Sequence, residues 1–408
     1  MSVSQDGIAN CTSLPFGDKG FEFIDHQWDF LEKFAEIIIY PDNDAFPNLK
    51  AEEKAAKKLN ELAVRLGKHR CRLVNKADMA GAKDANALLL KKGSGANRRA
   101  VLDADWFPAD IYPVADAPGK SVQEGISTGI KAVDKANAGL GGGQLMLISG
   151  DNGAGKTTEA LNIAAEFIEQ ETPVFVWSGE QKIGKIRYWF ERIAAGEQNL
   201  KNYTGETGFE YYFPKDELQE ELRRWYRNFL YQYVKVGIDY ESFFEAATLA
   251  VRRYGCGLII IDNLMAFTGG EGEGYYQAQG DFAQMCKRFA EEMDVAVILI
   301  CHNKKEEQRG SKLKLPNKDS IEGSKKVTNW ADIVLQMYRV PDVYAPKFGY
   351  ADTVMIICKS REDGTIRDVP LKFDKPSNRF IEKDRDWQIG RNFGWKRDPL
   401  EDDPRFKI

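Results

Sequence analysis

The sequence predicts an α/β protein whose main domain is a mostly parallel sheet covered by helices on both faces. From about Gly125 onward, continuous apolar and β-branched runs alternate with stretches of helical character. Runs of this kind are typical of strands that are buried on both faces. A glycine-rich phosphate-binding motif lies between the first run and the helix that follows it, where nucleotide-binding α/β domains carry such a motif.

The main domain is expected to span residues 123–385, with a charged tail at residues 386–408. Each predicted strand is a short apolar run bounded by turn-forming or helical residues. The strands are Leu145–Ser149, Val174–Trp177, Leu258–Asp262, Val295–Cys301, Ile333–Tyr338, Val354–Lys359 and Val369–Asp374.

A smaller α/β unit is predicted over residues 1–92. Its elements are strands at residues 36–40 and 71–74, a helix at Leu49–Leu66, and an N-cap with a short helix at Lys83–Leu90. Prolines and glycines punctuate the next stretch, so residues 93–122 are predicted to form a linker.

The composition supports a folded protein of two or three domains. Of its 408 residues, 43% are hydrophobic and 29% are charged, and a domain takes roughly 150 residues. The longest apolar run, Val295–Cys301, is far shorter than the roughly 18 residues that a membrane span needs. The opening residues lack the pattern of a secretion signal, and six scattered cysteines indicate reduced thiols. We therefore expect a cytoplasmic protein without a membrane contact.

The net charge of −5 argues against a small cationic nucleic-acid module. It does not exclude an enzyme that binds nucleic acid through basic residues confined to a loop or pore, because a partner responds to the local field.

The segment Gly150–Thr157 matches the G-x-x-x-x-G-K-[ST] phosphate loop. Its glycines let backbone N–H groups approach phosphate oxygens, and the following helix adds its positive dipole end. Lys156 is expected to reach the β- and γ-phosphates, and the Thr157 hydroxyl to ligate Mg²⁺. The cofactors are therefore ATP, or another NTP or dNTP, and Mg²⁺. The residues expected to contact the nucleotide here are Gly150, Asn152, Gly153, Ala154, Gly155, Lys156, Thr157 and Thr158.

Three side chains follow other predicted strands. Asp262 ends an apolar strand and can hold Mg²⁺ through its carboxylate. Glu180 can orient or deprotonate the attacking water, or it can be an exposed turn acid. His302 can sense the γ-phosphate at the carboxyl edge of the sheet, or it can be structural.

Lys359 and Arg361 end a late strand and lie two residues apart, so they point to the same side of an extended segment. They can reach the γ-phosphate of a neighbouring subunit as a cationic finger. The alternative is a solvated basic edge.

Two segments before the phosphate loop, Gly125–Ile130 and Gly139–Gln144, lie on either side of Asp134. With the motifs above, and in the same order over about residues 10–385, they resemble the DnaB-like replicative helicases. The resemblance is closest to the branch of phage primase–helicases and Twinkle-type proteins, in which a TOPRIM domain precedes the helicase. It implies a RecA-like P-loop NTPase core.

The resemblance also implies roles for individual residues. Glu180 would be the catalytic base and His302 the γ-phosphate sensor. Lys359 and Arg361 would act in trans, so that hydrolysis depends on a ring. The residues that would flank the nucleotide base are Arg339 and Phe380.

A basic loop between His302 and Gly323 is a candidate DNA contact, because a flexible cationic loop at the inner face of a ring would follow the phosphate backbone. An ordinary solvated loop is the alternative. The Gly323–Ser324 pair is similar to a family motif on the DNA-facing loop. The candidate DNA-binding residues are Lys304, Lys305, Arg309, Lys312, Lys314, Gly323, Ser324 and Lys325.

In the N-terminal unit, Asp42 and Asp44 resemble the paired acids of TOPRIM domains and can bind Mg²⁺. Lys83–Asn86 resembles the segment that closes that fold. The glutamate motif of an earlier TOPRIM strand and a zinc-binding module have no counterpart here. We therefore expect a partial TOPRIM-like unit and no primer synthesis by this chain.

The function implied by the resemblance is an ATP-dependent replicative helicase in a bacterial or phage-infected cell. It would form a homo-oligomeric ring, hexameric by family pattern, move 5′→3′ on single-stranded or forked DNA, and work with a separate primase and a DNA polymerase. Two alternatives are a RecA/RadA-like recombinase and a nucleotide-binding loader or scaffold that does not unwind DNA.

Overall fold

The structure is a computed structural model that describes residues 2–13, 21–42, 49–106, 125–235, 237–267, 273–304, 315–322, 324–382 and 391–396. The chain divides into two compact units, Met1–Gln123 with Val251–Gly255 and Glu124–Ala250 with Cys256–Ile408. Within the described ranges, every helix is too short or too polar to cross a membrane.

The first unit is a small three-stranded sheet with helices. Its elements are α1 (Ser2–Gln5), α2 (Phe23–His26), α3 (Trp28–Leu31), β1 (Ile37–Ile39), α4 (Leu49–Leu66), β2 (Cys71–Leu73), α5 (Ala85–Lys92), α6 (Ala96–Leu102) and β3 (Asp105–Trp106). β1 and β2 are parallel, and β3 is antiparallel to β2. The Asp84 side chain caps α5 by accepting a hydrogen bond from the Ala87 amide at 2.7 Å, as the sequence predicts.

The structure places regular elements inside the segment that the sequence assigns to a linker. Helix α6 and strand β3 both lie within residues 93–122, and the carboxylate of Asp6 accepts hydrogen bonds from the Gly95 and Asn97 amides at 2.9 Å each. The Arg72 guanidinium donates to the Ala104 carbonyl at 2.8 Å. These contacts join residues far apart in the chain, so local turn signals do not reveal them.

The second unit contains a nine-stranded sheet and a separate two-stranded hairpin. Its elements are α7 (Lys131–Asn137), β4 (Leu145–Gly150), α8 (Lys156–Glu169), β5 (Val174–Ser178), α9 (Ile183–Ala195), β6 (Leu200–Thr204), β7 (Glu210–Pro214), α10 (Gln219–Tyr226), β8 (Leu230–Tyr233), α11 (Tyr240–Tyr254), β9 (Leu258–Asp262), α12 (Glu273–Met293), β10 (Ala296–Ile300), α13 (Ser324–Trp330), β11 (Ile333–Arg339), β12 (Thr353–Ser360), β13 (Arg367–Asp374) and β14 (Arg379–Glu382).

The strand order of the large sheet is β14-β13-β12-β11-β4-β10-β9-β5-β8. The six strands from β11 to β8 are parallel, whereas β12, β13 and β14 add an antiparallel edge. The mostly parallel sheet predicted from the sequence is confirmed, with every predicted strand within two residues of its expected bounds. The sequence analysis does not predict strands β6, β7, β8 and β14.

The central strands are buried on both faces. On one face, Met146 and Ile148 of β4 join a core that includes Leu161 of α8 and Phe190 of α9. On the other face, Trp177 of β5 lies 6.0 Å, between ring centroids, from Phe243 of α11, and Phe243 contacts Phe282 of α12 at 6.5 Å. Helices therefore cover the sheet on both sides, which explains why β4, β5, β9 and β10 are apolar except at their carboxyl ends.

The buried carboxylate of Asp332 links the amino ends of β4 and β11. Asp332, immediately before β11, accepts hydrogen bonds from the Leu145 amide at 2.8 Å and from the Lys287 ammonium of α12 at 2.8 Å. The Arg361 guanidinium, just after β12, also donates to it at 3.1 Å. One side chain thus joins β4, β11, β12 and α12.

We expect Asp332→Ala to lower the free energy of unfolding by about 3–5 kcal/mol. The substitution leaves the largely buried Lys287 ammonium without this carboxylate and the Leu145 amide without its acceptor. Urea denaturation followed by circular dichroism measures the loss.

Glu291→Ala is the matched control, because Glu291 also pairs with Lys287, at 3.2 Å, but its side chain is 58% exposed. Its loss should cost less than about 1 kcal/mol. Equal losses in the two variants would contradict the role assigned to burial.

Candidate nucleotide-binding site

The phosphate loop connects the end of β4 to the start of α8 at the carboxyl edge of the parallel strands. Gly153 and Gly155 have φ angles of 78° and 95°, a left-handed conformation that favours glycine. A side chain at Gly155 would also collide with the ring of Phe380. The glycine at this position is therefore required by both backbone conformation and packing.

Lys156, the first residue of α8, points back over the loop. It is 7% exposed, and its ammonium donates to the carbonyls of Gly150 and Asp151 at 2.9 Å each. Burial lowers the pKa of Lys156, while nearby carboxylates, Asp262 first, raise it. The ammonium is thus held over the loop in the position from which it can meet phosphate oxygens.

Thr157 and Asp262 form the candidate magnesium site. The Asp262 carboxylate at the end of β9 accepts hydrogen bonds from the Thr157 hydroxyl at 3.1 Å and the Ser178 hydroxyl at 2.9 Å. Burial raises the pKa of Asp262 to about 6, and the hydrogen bond from Ser178 lowers it. A carboxylate and a hydroxyl within hydrogen-bonding distance fit a hard cation that prefers oxygen ligands.

Glu180, Asn263 and His302 meet beside this pair. The Asn263 amide nitrogen donates to a Glu180 carboxylate oxygen and lies 2.8 Å from the His302 Nε2, which is 3.4 Å from the same Glu180 oxygen. Burial, and then the Lys156 charge, lower the pKa of His302. Both effects favour the neutral imidazole, whose Nε2 can accept a hydrogen bond from Asn263 when the ring proton is on Nδ1.

Sequence patterns do not single out Asn263 and Ser178 as site residues. Ser178 accepts hydrogen bonds from the amides of Glu180 and Gln181 at 3.3 Å and 2.9 Å, so it orients the segment that carries Glu180. Asn263 follows Asp262 directly. Adjacency to a strand-end acid is the only signal that could have identified it.

Side-chain hydrogen bonds also join the phosphate loop to the segment that follows β10. The Ser149 hydroxyl donates to the Asn303 side-chain oxygen at 3.0 Å, and the Asn303 amide donates to the Asp151 carboxylate at 3.3 Å. The strand ends of β4, β5, β9 and β10 thus meet at one edge through side-chain hydrogen bonds.

Phe380 and Arg339 both lie on the phosphate-loop side of the sheet. Phe380 of β14 is buried against Gly155 and against Phe373, with ring centroids 5.0 Å apart. Arg339 is the exposed last residue of β11, two positions after Met337, which is paired with Gly150.

Lys359 and Arg361 lie at the other end of the sheet. β12 runs antiparallel to β11 and pairs Lys359 with Val334 and Ser360 with Ile333. Val334 precedes Met337 by three residues, or about 10 Å of strand. The fold therefore does not bring Lys359 or Arg361 to the phosphate loop of their own chain.

Both cations are bound locally at that end. The Lys359 ammonium donates to the Thr328 carbonyl at 2.8 Å, and Arg361 donates to the Asn329 carbonyl at 2.6 Å and to Asp332. Burial, followed by the Arg361 charge, lowers the pKa of Lys359 to about 8. Lys359 is half-buried, whereas the Arg361 side chain is 46% exposed.

Only parts of the other two candidate sites are described. Lys304 is exposed and donates to the Asp319 carbonyl at 3.2 Å, and Lys325 is exposed on α13. Asp42 is exposed, and within the described ranges the acidic, histidine and cysteine side chains form no cluster of three that could hold a metal ion. The candidates outside the described residues are Asp44, Lys305, Arg309, Lys312, Lys314, Gly323 and the side chain of Ser324.

Glu159, one turn into α8, is a further residue that sequence reasoning missed. It is fully buried, and neither carboxylate oxygen has a hydrogen-bond partner among the described residues. Burial raises the pKa of Glu159 to about 8, and the charges of Asp134, Glu166 and Glu382 add to the rise. The side chain is therefore neutral at neutral pH.

Comparison with known proteins agrees with this geometry. The family model for the DnaB-like helicase C terminal domain matches residues 125–382. The chain is 23% identical over 418 residues to the Twinkle homolog protein, chloroplastic/mitochondrial, of Arabidopsis thaliana, covering 93% of this chain and 56% of that one. It is 25% identical over 265 residues to the replicative DNA helicase DnaC of Bacillus subtilis, covering 64% and 57%. The chain thus spans little more than half the length of these relatives.

Two solved structures share the fold. One is an isolated ATPase domain, which superposes with a TM-score of 0.53 at 21% identity, over 65% of this chain and 93% of that one. The other is a DnaB-like replicative helicase, described together with its interactions with primase, which superposes with a TM-score of 0.54 at 19% identity, over 81% and 75%. The RecA-like α/β fold expected from the sequence is confirmed.

We expect Glu159→Gln to stabilise the protein at alkaline pH. The native pKa of about 8 lies above the ordinary value of 4.5, so the native state binds more protons than the unfolded state between these values. The free energy of unfolding therefore falls as pH rises through that window.

Urea denaturation at about pH 5 and about pH 9 tests this difference. The native chain should lose more stability than Glu159→Gln between the two conditions. Identical losses would show that Glu159 is not a buried neutral acid.

Proposed function

Because this chain belongs to the DnaB-like helicase family, whose C-terminal domain model spans residues 125–382, we propose that it is an ATP-dependent DNA helicase. It assembles as a ring, hexameric by family pattern, and moves 5′→3′ on single-stranded DNA to unwind a fork. The observation that carries the proposal is the convergence of Lys156, Thr157, Asp262 and Glu180 at one edge of the sheet.

In this mechanism the nucleotide is bound on the phosphate loop. Lys156 and the loop amides hold the β- and γ-phosphates. Thr157 and Asp262 would hold Mg²⁺, which supplies positive charge to the phosphate oxygens when bound. Arg339 and Phe380 flank the base, and Phe380 also supports the loop through its contact with Gly155.

Glu180 acts on water. Its carboxylate orients the attacking water and accepts its proton as the water oxygen bonds to the γ-phosphorus and the bond to the bridging oxygen breaks. The Asn263 amide holds the carboxylate and the neutral His302 ring together. A change at the γ-phosphate is thereby passed through His302 to the end of β10.

Lys359 and Arg361 complete the site of the next subunit. Their position at the amino edge of the sheet supports this assignment, since one chain cannot use both edges at the same phosphate. Their positive charges would stabilise the negative charge of the transferring phosphoryl group. Hydrolysis therefore requires a neighbour.

The DNA contact is assigned to the basic loop around Lys304 and Lys325, which would follow the phosphate backbone without reading sequence. The remaining candidates are Lys305, Arg309, Lys312, Lys314, Gly323 and Ser324. We further propose that Asp42 and Asp44 mark a TOPRIM-like unit, and that the protein works with a separate primase and a DNA polymerase in the cytoplasm of a bacterial or phage-infected cell.

A fork-unwinding assay tests the activity directly. The native chain should displace the labelled strand of a forked duplex when ATP and Mg²⁺ are present. The Lys156→Ala variant should not displace the strand, because it lacks the ammonium group that binds the β- and γ-phosphates. Closed rings that bind nucleotide without unwinding would identify a loader or scaffold, whereas filaments that exchange strands would identify a recombinase. Either result would overturn the proposal.

Arg361→Ala tests whether Arg361 acts on the nucleotide bound by the neighbouring subunit. The variant should bind nucleotide normally but lose DNA-stimulated hydrolysis by about a thousandfold, as expected for loss of an arginine finger. Phosphate release and equilibrium nucleotide binding measure the two effects.

Arg367→Ala, at an exposed position on β13, is the control for loss of one surface cation and should retain native turnover. Thermal melting checks that the loss of the Arg361–Asp332 ion pair has not unfolded the chain. Native turnover in a folded Arg361→Ala variant would remove Arg361 from the mechanism.

A further inference from the structure

The hairpin formed by β6 and β7 carries an unusual set of side chains on one face. Tyr203, Phe209, Tyr211 and Phe213 are 63%, 58%, 38% and 37% exposed. Tyr203 is paired directly with Tyr211. Phe209, which immediately precedes β7, and Tyr211 and Phe213 on β7 occupy alternate positions, so all four rings share one side. We call these four residues the aromatic face.

Three rings of the aromatic face, those of Phe209, Tyr211 and Phe213, form a row. The centroids of Phe209 and Tyr211 are 4.9 Å apart, and those of Tyr211 and Phe213 are 6.2 Å apart with ring planes only 13° from parallel. Phe213 also lies 5.4 Å from Tyr188 of α9. The row therefore offers an extended π surface to solvent.

The opposite side of the hairpin is tied to the rest of the second unit. The guanidinium of Arg192 lies 5.6 Å from the Tyr212 ring centroid, and the same guanidinium donates to the Pro376 carbonyl at 2.8 Å. The Glu210 carboxylate accepts from the Tyr212 hydroxyl at 3.0 Å and from Lys375 at 3.3 Å. These contacts hold the hairpin in place and turn the Glu210 side chain away from the aromatic face.

The chemistry of the aromatic face suits nucleobases. Lys201 lies beside its rings, opposite Phe213, and also pairs with Asp216. A second cation, Lys185, lies 5.7 Å from the Tyr188 ring. Aromatic rings on an exposed sheet, with lysines beside them, form a stacking platform that accepts any base.

We propose that the aromatic face binds single-stranded nucleic acid by stacking its bases on these rings. This surface is separate from the basic loop assigned above, and the two bind by different physics. The loop would bind phosphates, and its affinity for DNA would fall as the salt concentration rises. The affinity that comes from base stacking is less sensitive to salt. The inference rests on the proposed function only in that unwound DNA is the strand available to it.

The first test is photocrosslinking of the native full-length chain to an oligothymidylate that carries 5-iodouracil. Peptide mapping should place crosslinks on residues of the aromatic face. Crosslinks confined to other segments, or a failure of the native chain to bind the oligonucleotide, would overturn the proposal. This test needs no variant and therefore does not depend on the folding of one.

The second test compares two double variants by fluorescence anisotropy with a fluorescein-labelled oligothymidylate. Phe209→Leu with Tyr211→Leu keeps apolar volume but removes two stacking rings, and it should weaken binding by at least about tenfold at both low and high salt. The control is Asn202→Ala with Thr204→Ala, on the opposite side of the same hairpin, which should bind as the native chain does.

Two outcomes of this comparison would overturn the proposal. Equal binding by the two double variants would show that the rings do not contact bases. A change in oligomeric state of the leucine variant without DNA would identify the aromatic face as a protein interface. DNA-independent ATP hydrolysis should be unchanged in the leucine variant, so a loss of oligonucleotide binding with normal hydrolysis is distinguishable from failure of the helicase proposal.

Discussion

The direction of a single strand determines how this chain can use its cations. β12 runs antiparallel to β11, so it ends where the parallel strands begin. Lys359 and Arg361 are consequently at the amino edge of the sheet, whereas Lys156 and Asp262 are at the carboxyl edge. Asp332 fixes this arrangement, because its carboxylate holds the amino end of β4 and the guanidinium of Arg361. A catalytic site that needs both sets of residues has to be shared between two copies of the chain.

The carboxyl edge is a network in which each functional group is oriented by another polar side chain. Asp262 is held by Thr157 and Ser178, and Glu180 is held by Asn263. Burial shifts the pKa values of several members, since it raises the pKa of Asp262 and lowers the pKa values of Lys156 and His302. Each of these shifts favours the uncharged form of the group, and negative phosphates would reverse the shift at Lys156.

The sequence predicts the parts of this structure that depend on local pattern. The phosphate loop and β9, with bounds Leu258–Asp262, follow from a short motif and a continuous apolar run. The sequence analysis does not identify Asn263, Ser178 and Glu159, because their contacts come from strand ends and a helix face that meet only in the folded chain. The antiparallel edge could not be predicted either, because the apolar pattern of a strand does not indicate whether the strand runs parallel or antiparallel to its neighbour. The location of Lys359 and Arg361 therefore follows only from the pairing of β12 with β11.

A subunit-mixing experiment tests the shared site most directly. Lys156→Ala and Arg361→Ala would each be inactive alone, and their mixture is measured for ATP hydrolysis with single-stranded DNA. If the site is shared, hydrolysis should return in the mixture, because some interfaces then join an intact Lys156 from one chain to an intact Arg361 from the other. A mixture as inactive as its two components, in rings shown to contain both chains, would contradict the account.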